Sequence, residues 1–328
     1  EFLADTLDAP KHLDGAAVLG AIERQQGILV ERATGIYSFS HLTLQEYLTA
    51  FHIVAARLET EVIEQHLTDE RWREVFLLMS GLSGNRAIDL LQGLYSQSLT
   101  YRQGHAKLDR LLHWADASTV GAQGTHSPLT KKAAALASAS ASARTFDSDS
   151  VSDIESTFVS AFVNASNSDR VFDSARAIVR VFDSARAIDS AKAIVRAIVR
   201  ARDSDIVRTI SGDSDIAIVR DLGIGGAIVD IFGSPKFAEL PAQLKRLSDQ
   251  VPDEQAAIGA WQVWADDLET LWLEALGLDR ADLTFTQEEI EALRDYLYAT
   301  ELLIRCKDAA VRIPKQAWAE LEARLLTV

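Results

Sequence analysis

At both ends of this 328-residue chain apolar residues return every three or four positions, the period of an α-helix. Near the start that rhythm is interrupted once, by two short β-prone runs around a glycine turn. A chain patterned this way is mainly α with a single hairpin. Val18, Leu19 and Ile22 form an apolar stripe that Asp14 can cap and Gly27 can close. Residues 28–32 and 36–40 then flank the turn Ala33-Thr34-Gly35. Behind them Thr43 and Glu46 have the spacing of a capping box, and Leu44, Tyr47, Leu48, Phe51 and Ala55 recur at helical spacing.

Helix, hairpin and helix within about fifty residues describe the later part of a winged-helix domain, which we place at residues 1–58. Residues 59–128 carry short amphipathic helices. Trp72, Val75, Phe76 and Met79 share one face, Ile88, Leu90, Leu91 and Leu94 share the next, and Gly81 and Gly84 separate them, so a helical bundle is expected. From Ala117 to Ala143 the composition shifts to Ala, Ser, Thr and Gly, which reads as a connection or a frayed helix.

Residues 129–234 combine that Ala/Ser-rich linker with an internal repeat, in which the phrase running from Arg170 to Ile178 returns from Arg180 to Ile188. Lys192, Arg196 and Arg200 fall four apart, and Asp173 stands three residues before Arg176, as stacked short helices with exposed ion pairs require. The alternation in residues 215–219 leaves a β-solenoid open as the other stacking geometry.

Residues 235–328 read as an acidic helical domain. Pro252 and Asp253 introduce a helix with Trp261, Trp264, Leu268, Leu271, Trp272 and Ala275 on one stripe, ended by Gly277. Three tryptophans so spaced are core. Thr286 and Glu289 form a second capping box, with Phe285 stapled onto Ile290, opening a helix with Leu293, Leu297 and Ile304 along one side. Pro314 starts a last helix whose Trp318, Leu321 and Leu325 face inward.

Composition removes several function classes. With 48% hydrophobic residues and 25% charged, the chain can build packed cores. No run reaches the roughly 18 to 20 apolar residues of a spanning helix, and residues 1–20 lack a basic start with an apolar run, so a cytoplasmic protein without a signal peptide is expected. A single cysteine, Cys306, forms no internal disulfide and rules out a cysteine-based zinc site. The histidines include no pair at zinc-helix spacing, no lysine-bearing phosphate loop occurs, and no serine sits in a nucleophile elbow. Gly223-Ile224-Gly225-Gly226 is a turn between repeats. We therefore expect no catalytic residues, no metal ligands and no cofactor within the chain.

The net charge of −15 disfavours nucleic acid, with an acidic excess of 6 in residues 1–128, 1 in 129–234 and 8 in 235–328. Arginines crowd the repeat, but nearly as many aspartates accompany them and aromatics for base stacking are scarce. The chain opens on Glu1 and its one methionine is Met79, from which an upstream portion is expected.

The stretch from Gly27 to Ala50 resembles the winged-helix end of a NACHT-family (STAND-class) NTPase, in which a hairpin ends in Phe39-Ser40-His41 and the next helix carries Gln45-Glu46-Tyr47 and Ala50. Trp72-Arg73-Glu74-Val75 resembles the start of the helical region that follows, and the closing acidic helices resemble the C-terminal helical domain of bacterial members. The resemblance implies the lid and sensor of a nucleotide switch, with ATP or ADP and Mg held by an NTPase module elsewhere in the full-length protein. In that family a winged-helix histidine approaches the nucleotide phosphates, and His41 occupies its position. Implied partners are the upstream NTPase domain and a sensed ligand or protein, with oligomerisation on activation and no membrane. Two other readings stay open: a stand-alone helical-repeat binding module, and a winged-helix nucleic-acid binder.

Overall fold

The computed structural model describes residues 15–22, 27–123, 126–143, 231–233, 235–253 and 256–328. Asp14, the Gly223 cluster and the repeat at 170–200 lie outside them.

The chain begins with helix α1 (Gly15–Ala21) and an antiparallel hairpin of β1 (Leu29–Ala33) and β2 (Ile36–Phe39). Leu29 pairs with Phe39 and Glu31 with Tyr37, and a bulge between Glu31 and Ala33 tightens the ribbon into its turn. Gly35 sits there at φ 75°, a left-handed conformation that a side chain disfavours, and its amide donates to Glu31 Oε1 at 2.7 Å. Helix α2 (Leu42–Ala56) follows at once. Its N-cap is His41, in extended backbone and without a side-chain capping bond, so the expected Thr43–Glu46 box does not form: Thr43 is already the second residue of the helix.

Then come α3 (Glu59–His66), a short 3₁₀ turn (Glu70–Trp72), α4 (Arg73–Leu82), a second 3₁₀ turn (Gly84–Arg86), α5 (Ala87–Tyr101) and α6 (Ala106–Thr119). Val75, Phe76 and Met79 of α4 and Leu90, Leu91 and Leu94 of α5 are buried as their spacing requires, with Trp72 and Ile88 half-buried at the rim. Trp72 stacks flat on His66, ring centroids 4.0 Å apart.

Within the segment that reads as a connection or a frayed helix, residues Pro128–Ala143 form helix α7. Leu129, Ala133, Ala134, Ala135, Leu136 and Ala139 are buried against α6, and Lys132 pairs with Asp116 at 2.6 Å. Alanine is the best helix former, and its small side chain permits close approach, so an Ala-rich run that reads as filler packs well once a partner helix is present.

The C-terminal part comprises α8 (Pro235–Ser248), α9 (Ile258–Leu276), α10 (Arg280–Leu283), α11 (Gln287–Ala309) and α12 (Lys315–Glu322). Helix α9 begins at Ile258, five residues beyond Pro252 and Asp253, with Ala257 as its N-cap. It ends at Gly277, which takes φ 68° so that its amide reaches the carbonyls of Leu273 and Glu274. Trp261, Trp264 and Trp272 are core, and the Trp264 indole donates to the Leu247 carbonyl of α8 at 2.8 Å. The Thr286–Glu289 capping box is formed in both directions. Leu321 and Leu325 are buried, and Trp318 packs half-buried beside them.

Helix α11 departs most from its sequence reading. Every residue from Tyr296 to Ile304 is buried, not only one side. It lies against α4, α5 and α6, so the bundle at 59–128 and the C-terminal helices share one continuous hydrophobic cluster, running from Ala50 to Leu326. Helices α6 and α9 are tied by the Trp114 indole, which donates to the Leu276 carbonyl at 2.7 Å, and Phe232 stacks on Phe237 beside that tryptophan.

Candidate functional site

His41 is positioned by the hairpin and by α2 together. The Ser40 amide donates to the Ile28 carbonyl at 2.8 Å, closing the hairpin's mouth, and the His41 carbonyl accepts from Leu44 and Gln45 to start the helix. The imidazole itself is exposed, at the open end of α2. The fixed backbone on both sides of it makes the position well defined. One residue earlier, the Ser40 hydroxyl is buried without a hydrogen-bond partner.

From His41 an apolar surface runs along α2. The stripe Leu44, Tyr47, Leu48, Phe51 and Ala55 points out. Tyr47, Leu48, Phe51 and Ala55 are exposed and Leu44 is half-buried, while Ala50 and Ile53 on the opposite side do the packing, chiefly on α4. Phe51 is 54% exposed and Tyr47 lies near-parallel to it at 6.4 Å. Leu42 and Ile36, 66% and 62% exposed, extend the surface past His41 onto the hairpin. Ala50 and Ile53 hold α2 on α4, so the broader apolar stripe is left for another surface. Periodicity located this stripe correctly but carries no information about which side the next helix covers.

A second polar cluster had no signal in the residue pattern beyond an i, i+4 pair. Glu301, in the middle of α11, is 2% exposed, and its Oε1 accepts from Arg73 Nη2 at 2.7 Å and from Arg305 Nη2 at 2.6 Å. Tyr298 lies on the same side of the helix. Burial pushes its phenol up to about 12, with the nearby Arg73 guanidinium pulling the other way. Tyr296 is likewise pushed up to about 12, mainly by burial.

Among the described residues no group of histidine, cysteine, aspartate and glutamate could hold a metal ion, and no helix is long and apolar enough to cross a membrane. His66 is engaged with Trp72, and His52 stands exposed on α2. The arrangement can present an apolar surface with the exposed imidazoles of His41 and His52 beside it.

Comparison with known families accounts for both ends of the chain. Residues 5–53 match the family model of the winged helix-turn-helix domain C-terminal to NACHT, and residues 240–328 match that of the NACHT C-terminal helical domain 2. The first match ends within α2 and includes His41; the second takes in most of α8 and everything after it. Neither the curated proteins nor the solved structures give a match.

Proposed function

We propose that this chain, which carries two NACHT-associated domains, is the regulatory and sensor portion of a nucleotide-switched signalling protein. The observation that carries the reading is the exposed apolar surface of the hairpin and α2, with His41 where the two meet, most of it within the segment matched to the domain that follows NACHT. Its occupant is the NTPase module of the same protein, which supplies the ATP or ADP and Mg. With the module docked, His41 donates a hydrogen bond to a phosphate oxygen of the bound nucleotide, and it withdraws when the winged helix rotates away. The C-terminal helices receive the signal, an unidentified ligand or protein, and release leads to oligomerisation. The setting is cytoplasmic, in antiphage or stress defence, by analogy with the family alone.

Two measurements test this. Titrating the ADP-loaded NTPase module into the chain should give a saturable complex that Leu48→Asp with Phe51→Asp abolishes, and His41→Ala should leave the complex intact while speeding ADP release. Binding unaffected by the double substitution, or ADP release unchanged by His41→Ala, overturns the assignment. The chain by itself should show no ATP binding at micromolar nucleotide; binding there would place the nucleotide site within this chain instead.

A further inference from the structure

Helix α4 is a joint. On one side it carries α2; on the other it lies along α11 in the same direction, with Arg73 at Glu301, Ser80 at Cys306 and Gly81 at Ala309. The later half of this seam is tight and neutral. The Ser80 hydroxyl donates to the Cys306 carbonyl at 2.5 Å, and a Cβ added at Gly81 would stand 3.4 Å from the Ala309 carbonyl. The earlier half is ionic. There the buried Glu301 carboxylate is shared by two guanidiniums whose side chains are 29% and 23% exposed. Beside it the Tyr298 hydroxyl and Arg305 Nε are buried with no hydrogen-bond partner.

We propose that Arg73, Glu301 and Arg305 form a charge lock that holds α4, and α2 with it, on the C-terminal helix, and that the lock opens as a unit to free the winged-helix arm. A carboxylate in this position is held by pairing across the seam. When Arg73 leaves, water reaches Glu301, Arg305 and Tyr298 together and satisfies the two atoms that lack partners in the closed arrangement. Partial opening gains little of this, so the seam has two states and not a continuum. Arg73 has an alternative partner ready in Glu70, three residues before it on the 3₁₀ turn and within electrostatic reach of Tyr298; the neighbouring Asp69 is already engaged by Arg71 at 2.7 Å. The lock stands on this chain's own contacts and does not depend on the nucleotide reading above.

The protein contains its own reporter. Cys306 is the single cysteine, wholly buried on α11 where Ser80 meets it, so a thiol reagent such as DTNB reacts only when the seam opens. Arg73→Gln and Glu301→Gln should each speed labelling by about tenfold or more. Their combination should be no faster than the quicker single variant, and Arg73→Lys, which keeps the charge, should stay near the wild-type rate. Urea unfolding followed by circular dichroism, run in parallel, separates opening from global unfolding. Wild-type labelling should also quicken with added salt, a readout that needs no variant to fold. Wild-type rates in both single variants, additive effects in the double, acceleration no greater than the global stability loss predicts, or labelling independent of salt would each overturn the lock.

Discussion

Helices α2 and α11 exchange the places their sequences suggest. Helix α2 has a broad apolar stripe and stands with that stripe in solvent; α11 carries acidic residues from Glu288 to Asp295 and basic ones at Arg305 and Lys307, and runs through the middle of the core. The reason lies in how charge is distributed along α11. Its charged residues gather toward the two ends, and the nine residues from Tyr296 to Ile304 include only one charge, Glu301, which two arginines neutralise. An average over the whole helix hides a segment that is mostly apolar on all sides, the pattern of a helix surrounded by others. Helix α2 teaches the converse. A stripe is apolar because something covers it, but the stripe does not say whether the cover is the next helix or a separate surface.

The contrast can be broken by substitution. Leu303, fully buried in α11, should cost about 3 kcal/mol when changed to alanine, measured as a lower urea midpoint with unchanged slope; a loss under about 1 kcal/mol would mean that α11 is not the centre of the core. Alkaline titration tests the same helix next. The phenols of Tyr296 and Tyr298 are pushed from about 10 to about 12 in the fold, so the unfolded chain gives up those protons first as pH rises. Stability is therefore whole below pH 10 and falls between about pH 10 and 12, while the tyrosine absorbance change of these two residues lags behind that of an exposed phenol. Full ionisation of all six tyrosines near pH 10 with the fold intact would contradict their burial. The smallest effect belongs to α2. Leu48→Ser with Phe51→Ser should move the chain's own stability by no more than about 0.5 kcal/mol, because neither side chain packs on the described core. A loss comparable to that of Leu303→Ala would show that the stripe is structural.

Much of the local architecture was legible in residue order. The hairpin follows from two β-prone runs around Gly35, the start of α11 from the Thr286–Glu289 capping box, and the end of α9 from Gly277, because each rests on backbone conformations or capping bonds made within a few residues. The capping box at Thr43 and Glu46 failed for a local reason as well: the hairpin delivers the chain in extended form at His41, so the helix starts two residues earlier. In the candidate site, His41 is singled out by its resemblance to a family motif and the apolar residues beside it by their period, which does not say which side of α2 meets the core. Glu301 was out of reach because a buried charge differs from an exposed one only in its neighbours, and Arg73 lies 228 residues away in the chain.

What the sequence determined by itself, then, is the inventory of elements, since helix period, turns and caps are short-range, together with the two NACHT-associated motifs at its ends. What only the tertiary structure decided is coverage: that the Ala-rich segment packs as α7, that α11 is enclosed, and that the α2 stripe is not. Burial depends on contacts between residues far apart in the chain, and a residue's own pattern constrains how strongly a face seeks cover without specifying what supplies it.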